Sequence, residues 1–118
     1  MSDPREEILD RWEGVADGWK ATREAFQRTA LPVSQAMIEA IHPQPGQRVL
    51  ELAAGLGDTG LLAAERVRPG GSVTITDGAN AMVQAATEHA AEVGADNVEV
   101  RQMQAVYERL IARYFAAF

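Results

Sequence analysis

The sequence predicts an α/β fold built on a small parallel sheet, because three strand-like segments alternate with helical ones over residues 48–103. Each strand-like segment is short, and Gly or Asp residues follow the first two of them. When helices connect successive strands of one sheet, the strands run parallel and the connections are right-handed crossovers. Helical periodicity before the first strand predicts a helical N-terminal region.

That N-terminal region is expected to contain three helices. Pro4, preceded by Asp and followed by acidic residues, is typical of a helix start. A second helix is predicted over residues 22–30, and Pro32 is expected to open a third helix that ends near Ile41. Residues 1–42 are therefore predicted to form a helical cap.

The cap precedes a sheet domain over residues 43–103. Its predicted elements are strand 48–52, a helix from Asp58 to Val67, strand 73–76, helix 81–93 and strand 97–103. Gly94 suits the left-handed conformation that often ends a helix. Residues 104–118 carry apolar residues on one face and predict a C-terminal amphipathic helix.

The loop after the first strand is the most informative segment. The strand ends on Glu51, the chain then passes through Gly55 and Gly57, and a helix begins at Asp58. Such a turn exposes backbone N–H groups and a helix N-terminus at the carboxyl end of the sheet, where α/β proteins bind nucleotide-like ligands.

The charges around this loop favour a cationic ligand over a dinucleotide. The spacing Gly55-x-Gly57-x-x-Gly60, with an acid at Asp77, matches the dinucleotide-binding fingerprint. However, carboxylates flank the loop and disfavour a pyrophosphate. A ligand with an ammonium, a sulfonium, one carboxylate and a ribose fits better, and S-adenosylmethionine has these groups and no phosphate.

The motif Glu51-x-Ala53-x-Gly55-x-Gly57 resembles the acid-x-Gly-x-Gly-x-Gly loop of the class I S-adenosylmethionine-dependent methyltransferases. Ala53 replaces the first glycine of that pattern. Alanine is tolerated there if its φ stays negative, so a negative φ is the expectation. Residues 71–82 and 97–103 resemble the second and third strand regions of the family. The resemblance implies a Rossmann-like fold.

The same resemblance implies a cofactor site, whose members are Glu51, Ala53, Gly55, Gly57, Asp77, Gly78, Ala79, Met82 and Gln104. Asp77 is expected to accept both ribose hydroxyls, with a turn or helix cap as the alternative. Glu51 is expected near the ligand's ammonium, or as a residue that orients the loop. Ala79 and Met82 would lie against the adenine, and Gln104 would accept its amine. Methyl transfer needs positioning above all, so no catalytic residue is assigned.

For the other singled-out residues we predict capping, packing or exposure. Asp58 is expected to cap its helix rather than contact the ligand. Trp12 and Trp19 are expected to pack between helices, with covering the ligand as the alternative. His42 and His89 are expected to be exposed.

Composition disfavours several classes of function. The net charge of −6, with Lys and Arg scattered, disfavours a nucleic-acid partner. The absence of Cys and the separation of the two His residues disfavour a metal site. No apolar run approaches the ~20 residues of a membrane span, and a cytoplasmic location is expected.

The function expected from the resemblance is methyl transfer from S-adenosylmethionine to a small-molecule acceptor. The pattern stops after the third strand, so the chain is expected to be a truncated or deleted form, or a fragment, that assembles as a homo-oligomer. A non-catalytic cofactor-binding or self-assembling module and an NAD-binding dehydrogenase fragment remain as alternatives. Asp58-Thr59-Gly60 spells an aspartic-protease signature but lacks the apolar strand that should precede it, and no P-loop Lys follows the glycines.

Overall fold

The computed structural model describes residues 3–103 of the chain. The elements are α1 (Pro4–Ala21), α2 (Arg23–Ile41), β1 (Arg48–Glu51), α3 (Asp58–Arg66), β2 (Ser72–Asp77), α4 (Asn80–Glu92) and β3 (Val98–Gln102). The three strands of the sheet agree with the predicted ones to within a residue or so at each end. The C-terminal helix predicted for residues 104–118, and Gln104 with it, lie outside the described residues.

The sheet is parallel, with the strand order β1-β2-β3. Val49 pairs with Val73, and Ile75 pairs with Val100 on the other side of β2. This register brings the ends of all three strands to one edge. The α/β, Rossmann-like fold class predicted from the alternating pattern is confirmed.

The cap differs from the prediction, because Pro32 lies inside α2 instead of opening a separate helix. An interior proline removes one helix hydrogen bond and costs about 3 kcal/mol. Two contacts on the C-terminal side of Pro32 offset that cost: Ile38 is buried in the core, and the Ser34 hydroxyl lies 2.8 Å from the Thr59 hydroxyl of α3. Tertiary packing therefore joins the predicted second and third helices into one.

Two apolar clusters form the core. The larger lies between α2, α3, α4 and the sheet and contains Ile38, Ala63, Ala64, Val67, Val73, Ile75 and Ala86. The smaller lies beneath α1 and contains Ala16, Leu56, Ala79, Met82 and Ala85. The many alanines let the helices approach the sheet and one another closely. The loop after β1 is thus held between the cap and the sheet.

Within residues 3–103, no helix is both long enough and apolar enough to span a membrane.

Candidate functional site

The loop after β1 turns sharply because three of its residues adopt the left-handed conformation. The φ angles are +52° at Ala53, +58° at Gly55 and +82° at Gly57. The expectation of a negative φ at Ala53 was therefore wrong. The left-handed region costs a residue with a Cβ roughly 1–2 kcal/mol, and the loop holds Ala53 there because the next N–H, that of Ala54, donates to the Thr76 carbonyl at 2.9 Å.

The glycines of the loop have different physical roles. A Cβ on Gly55 would meet nothing within 4 Å, so its side is open to a ligand. A Cβ on Gly57 would lie 3.3 Å from Ile75 Cδ1, in a tight contact with the core. A Cβ on Gly60 would lie 2.6 Å from both Glu51 Oε1 and Ile75 Cγ1, so only glycine fits there.

Gly60 is therefore a structural requirement of the site that was not among the predicted site residues. The signal that identifies it is the third glycine of the Gly-x-Gly-x-x-Gly spacing. In a dinucleotide fold, that glycine allows close packing of helix and strand. The same physical reason applies here, with Ile75 of β2 as the neighbour.

Glu51 connects the end of β1 to the start of α3 through a hydrogen bond. Its Oε1 accepts a hydrogen bond from the Gly60 backbone N–H at 3.0 Å, within the first turn of α3. Burial raises the pKa of Glu51 to about 7, and the nearby carboxylates of Asp58 and Asp77 act in the same direction, against the lowering effect of the hydrogen bond. The geometry matches the alternative predicted for Glu51, a residue at the strand end that orients the glycine loop.

Asp77 ends β2 and is fixed by two backbone donors. Its Oδ2 accepts from the Gly55 N–H and its Oδ1 from the Ala79 N–H, both at 2.9 Å. The turn role given as an alternative for Asp77 is therefore present. The Asp77 carboxylate can still bind a ligand, because each oxygen has a second lone pair that can accept another hydrogen bond.

A cavity of about 760 Å³ opens above these residues. It is lined by residues of the cap, the loop and the strand ends: Ile8, Leu9, Trp12, Trp19, Ala30, Leu31, Ser34, Ala53, Ala54, Gly55, Leu56, Asp58, Thr59, Leu61, Leu62, Glu65, Asp77, Gly78, Met82, His89, Val93 and Met103. Three of the lining residues are acids and none is Lys or Arg, within the part of the chain that the structure describes. The lining therefore favours a ligand with positive charge over a phosphate.

The predicted cofactor residues divide into two groups around this cavity. Ala53, Gly55, Asp77, Gly78 and Met82 line it. Glu51, Gly57 and Ala79 are not in the lining and instead support the loop and the start of α4. Ala79 is 1% exposed, which places it in the core beside the cavity wall.

His89 is partly buried, so its predicted exposure was wrong, whereas His42 is exposed as predicted. His89 Nδ1 lies 3.3 Å from Asp58 Oδ1 at the start of α3. Burial lowers the pKa of His89, the Arg23 charge lowers it further, and the Asp58 charge opposes both. The contact connects α4 to α3. Hydrophobic periodicity along the sequence cannot predict a contact between residues of two different helices.

The structure places both tryptophans on α1, beside the cavity. Trp19 packs against the smaller apolar cluster, as predicted. Trp12 is 46% exposed and, like Trp19, lines the cavity. Their ring centroids are 6.5 Å apart.

Glu13 fixes the cap to the sheet domain and was not predicted to do so. Its Oε1 accepts from the Ala81 N–H at 3.0 Å, at the start of α4. An acid at a helix N-terminus is favourable because of the helix dipole. The partners lie 68 residues apart, so no local signal could reveal the contact.

Comparisons with known proteins agree with this geometry. Residues 43–107 match the methyltransferase domain family. This match covers more than half of the chain, and the chain therefore belongs to the methyltransferase domain family. The predicted resemblance to S-adenosylmethionine-dependent methyltransferases is confirmed.

Two curated relatives are similar to this chain over part of their own length. Nocamycin O-methyltransferase of Saccharothrix syringae is 39% identical over 94 residues, which cover 80% of this chain and 31% of the relative. Protein-L-isoaspartate O-methyltransferase of Methanoregula boonei is 35% identical over 89 residues, covering 66% of this chain and 40% of the relative. The chain thus spans about a third to two fifths of the relatives' length.

A solved structure shows the same fold. A SAM-dependent methyltransferase from Aquifex aeolicus superposes with a TM-score of 0.56 at 25% identity. The superposition covers 60% of this chain and 38% of the other.

Proposed function

We propose that this chain binds S-adenosylmethionine and supplies the cofactor-binding part of a methyltransferase that acts on a small-molecule acceptor. The observation that carries the proposal is the position of Asp77. Its carboxylate lines an acidic cavity at the strand ends and is held by backbone donors on both sides of the site.

The ribose is the part of the cofactor that Asp77 suits. Two vicinal hydroxyls can donate to the two oxygens of one carboxylate, and Asp77 retains a lone pair on each oxygen. Because the Gly55 and Ala79 N–H groups fix the carboxylate, little side-chain entropy is lost when a ligand binds. Met82, which also lines the cavity, offers an apolar contact for the adenine.

The charged part of the cofactor suits the acidic side of the loop. The sulfonium and ammonium groups would lie in a cavity that contains Asp58 and Asp77. Gly55, with open space where a Cβ would stand, lets the ligand approach the backbone closely. Glu51 contributes through the Gly60 N–H, as a positioning residue for the loop.

A small-molecule acceptor agrees with the shape of the site. The cavity is concave, and its volume of about 760 Å³ falls within the ~300–1,000 Å³ range of small-molecule sites. The name of the Saccharothrix relative indicates a small-molecule acceptor for that enzyme. The match to that relative covers 80% of this chain. The acceptor of the Methanoregula relative is, by its name, a protein.

A ligand panel tests the cofactor proposal. The full 118-residue chain is heated with S-adenosylmethionine, S-adenosylhomocysteine or NAD, and the unfolding transition is recorded by circular dichroism. A ligand at 100 times its dissociation constant stabilises the folded state by about 2.7 kcal/mol, so binding is readily detected. We expect both S-adenosyl compounds to raise the Tm. A shift with NAD and none with S-adenosylmethionine would assign the site to a dinucleotide instead.

The proposal also includes self-association. Among the described strands, β1 pairs with β2 alone, and Leu52, which directly follows β1, is 36% exposed. Strands at the edge of a sheet can recruit another strand. The division into a cap over residues 1–42, a sheet domain over 43–103 and a segment 104–118, and the cytoplasmic location, remain predictions.

A further inference from the structure

His89 and Asp58 are in contact on the wall of the cavity. His89 Nδ1 of α4 lies 3.3 Å from Asp58 Oδ1 at the start of α3, and both residues line the cavity. Their side chains are 12% and 24% exposed, so solvent screens the interaction less than it does between two surface groups. The protonation of His89 therefore acts directly on the electrostatic effect of the Asp58 carboxylate.

The Nδ1 atom of His89 is buried and has no hydrogen-bond partner within the described part of the chain. A neutral imidazole carries a proton on one of its nitrogens, whereas a protonated imidazole carries one on each. In the protonated ring, the Nδ1 proton would face Asp58 Oδ1 and turn the contact into a charge-assisted hydrogen bond. The pair therefore has two electrostatic states, one anionic and one neutral, which differ by a single proton.

The surroundings of His89 favour the neutral ring at neutral pH. Burial lowers the pKa of His89, and the charge of Arg23 on α2 lowers it further. The carboxylates of Asp58 and Glu92 and the backbone of Leu56 act in the opposite direction. Because the resulting pKa lies below the ordinary value of 6.5, the ring is neutral at neutral pH and does not offset the charge of Asp58.

The proposed cofactor and its product differ in the charge that Asp58 would meet. S-adenosylmethionine carries a positive sulfonium. When the methyl group leaves, the sulfur keeps the electron pair of the broken bond, so S-adenosylhomocysteine has a neutral thioether. The sulfur is two bonds from the ribose ring, so with the ribose at Asp77 it would lie in the cavity that Asp58 lines. A carboxylate there attracts the sulfonium and has no comparable effect on the thioether.

We propose that His89 is a positioning residue that sets, through Asp58, the preference of the site for S-adenosylmethionine over S-adenosylhomocysteine. This inference rests on the proposed function, because the two ligands must occupy the cavity that the pair lines. With His89 neutral, the Asp58 carboxylate favours the sulfonium. With His89 protonated, the imidazolium offsets the carboxylate and the preference weakens. At neutral pH the pair thus favours binding of the substrate and release of the product.

The chain contains two histidines, so one can serve as the reference for the other. The pKa of each imidazole is measured by NMR on the full chain from about pH 5 to about pH 8, without ligand and saturated with either S-adenosyl compound. Because coupling is reciprocal, a ligand that prefers neutral His89 must lower its pKa. We expect S-adenosylmethionine to lower the pKa of His89 by about 0.5–1 more than S-adenosylhomocysteine does. His42, which is exposed and does not line the cavity, should not respond.

Variants test the same coupling through affinity. Titration calorimetry gives the dissociation constants of both ligands at about pH 8 and at a pH below the measured pKa of His89. Glutamine is polar but takes up no proton, so at the lower pH His89→Gln is expected to prefer S-adenosylmethionine roughly 3- to 10-fold more strongly than the native chain does. At the higher pH the two chains should agree. His42→Asn is the control, because asparagine suits the left-handed conformation of that residue, and it should match the native chain throughout.

The outcomes separate this inference from the proposed function. If both ligands bind and change the pKa of His89 equally, or if His89→Gln has the native preference at both pH values, the role of His89 is wrong and the cofactor site stands. A His89 that stays neutral throughout the titration would contradict the role as well. If neither S-adenosyl compound binds, the proposed function fails and the inference with it. The NMR measurement uses the native chain, so the test does not depend on the folding of a variant.

Discussion

Glu51 Oε1 lies 3.0 Å from the backbone nitrogen of Gly60, at a spacing that leaves no room for a side chain on Gly60. The strand end and the first turn of the following helix are therefore in direct contact. The hydrogen bond satisfies one of the N–H groups that a helix start leaves without a partner inside the helix. It also fixes the loop from which the proposed cofactor site is built.

Gly60→Ala is expected to destabilise the chain strongly. The new Cβ would lie 2.6 Å from Glu51 Oε1 and from Ile75 Cγ1, so the helix must shift or the hydrogen bond must break. Overpacking of a core contact costs typically 1–3 kcal/mol. Urea denaturation measures the loss, and Gly14→Ala, at a helical glycine with open space around it, is the control. A Gly60→Ala variant as stable as the control would show that the contact is not tight.

Ala53→Gly is expected to stabilise the chain. Ala53 has a φ of +52°, which costs a residue with a Cβ roughly 1–2 kcal/mol, and glycine removes that cost while it adds some entropy to the unfolded chain. The net gain expected is about 0.5–1 kcal/mol. Thermal and urea unfolding measure it, with Ala36→Gly as a control that should destabilise because Ala36 is an exposed residue in the interior of α2. Loss of stability in Ala53→Gly would contradict the left-handed conformation.

The stability of the chain is expected to depend on the protonation of Glu51. Its pKa is about 7 in the folded chain, against an ordinary value of 4.5, so the folded chain holds the proton more strongly than the unfolded chain. The contribution of Glu51 to the free energy of unfolding therefore falls as the pH rises from about 4.5 to about 7, by roughly 3 kcal/mol at most.

Glu51→Gln isolates this effect from other titrating groups, among them His89, whose lowered pKa acts in the opposite direction. The free energy of unfolding is measured for both chains at pH 5, 6, 7 and 8. We expect the difference between native chain and variant to change between pH 5 and 7 in the direction that disfavours the native chain. A pH-independent difference would show that Glu51 titrates normally.

Asp77→Ala is expected to weaken S-adenosylmethionine binding more than Glu51→Gln. Asp77 lines the cavity, and loss of hydrogen bonds to a charged group costs roughly 1.5–3 kcal/mol, whereas Glu51 does not line the cavity and accepts a hydrogen bond from the Gly60 N–H. Titration calorimetry gives the two dissociation constants. Glu99→Gln, at an exposed acid on β3, controls for the change in net charge. Equal losses in Asp77→Ala and Glu51→Gln would mean that the ribose contact is misassigned.

The chain is expected to self-associate through the edge of β1 that pairs with no other described strand. Light scattering should then give a mass that is a multiple of 12.8 kDa. A charge at a strand edge opposes pairing, so Leu52→Lys is expected to shift the chain toward the monomer. Val33→Lys, at an exposed apolar residue of α2, should leave the mass unchanged. A monomeric mass for the native chain, with a cooperative melt, would refute the proposal.

The fold class and the position of the site follow from local sequence patterns. The alternation of apolar strand-like and helical segments predicted the parallel sheet, and all three strands occur where expected. The acid, the glycines and Asp77 predicted a ligand site at the strand ends, and Gly55 and Asp77 do line the cavity there. These features depend on spacing within a few residues, which the sequence displays directly.

Only the tertiary structure decided what depends on contacts between distant segments. The burial of Ile38 and the contact of Ser34 with Thr59 keep Pro32 inside one helix, against its local preference. The hydrogen bond from the Gly60 N–H to Glu51 connects that acid to the loop, and His89 of α4 lies partly buried beside Asp58 of α3. Propensity acts over a few residues, whereas burial depends on the whole chain, and here burial was the stronger effect.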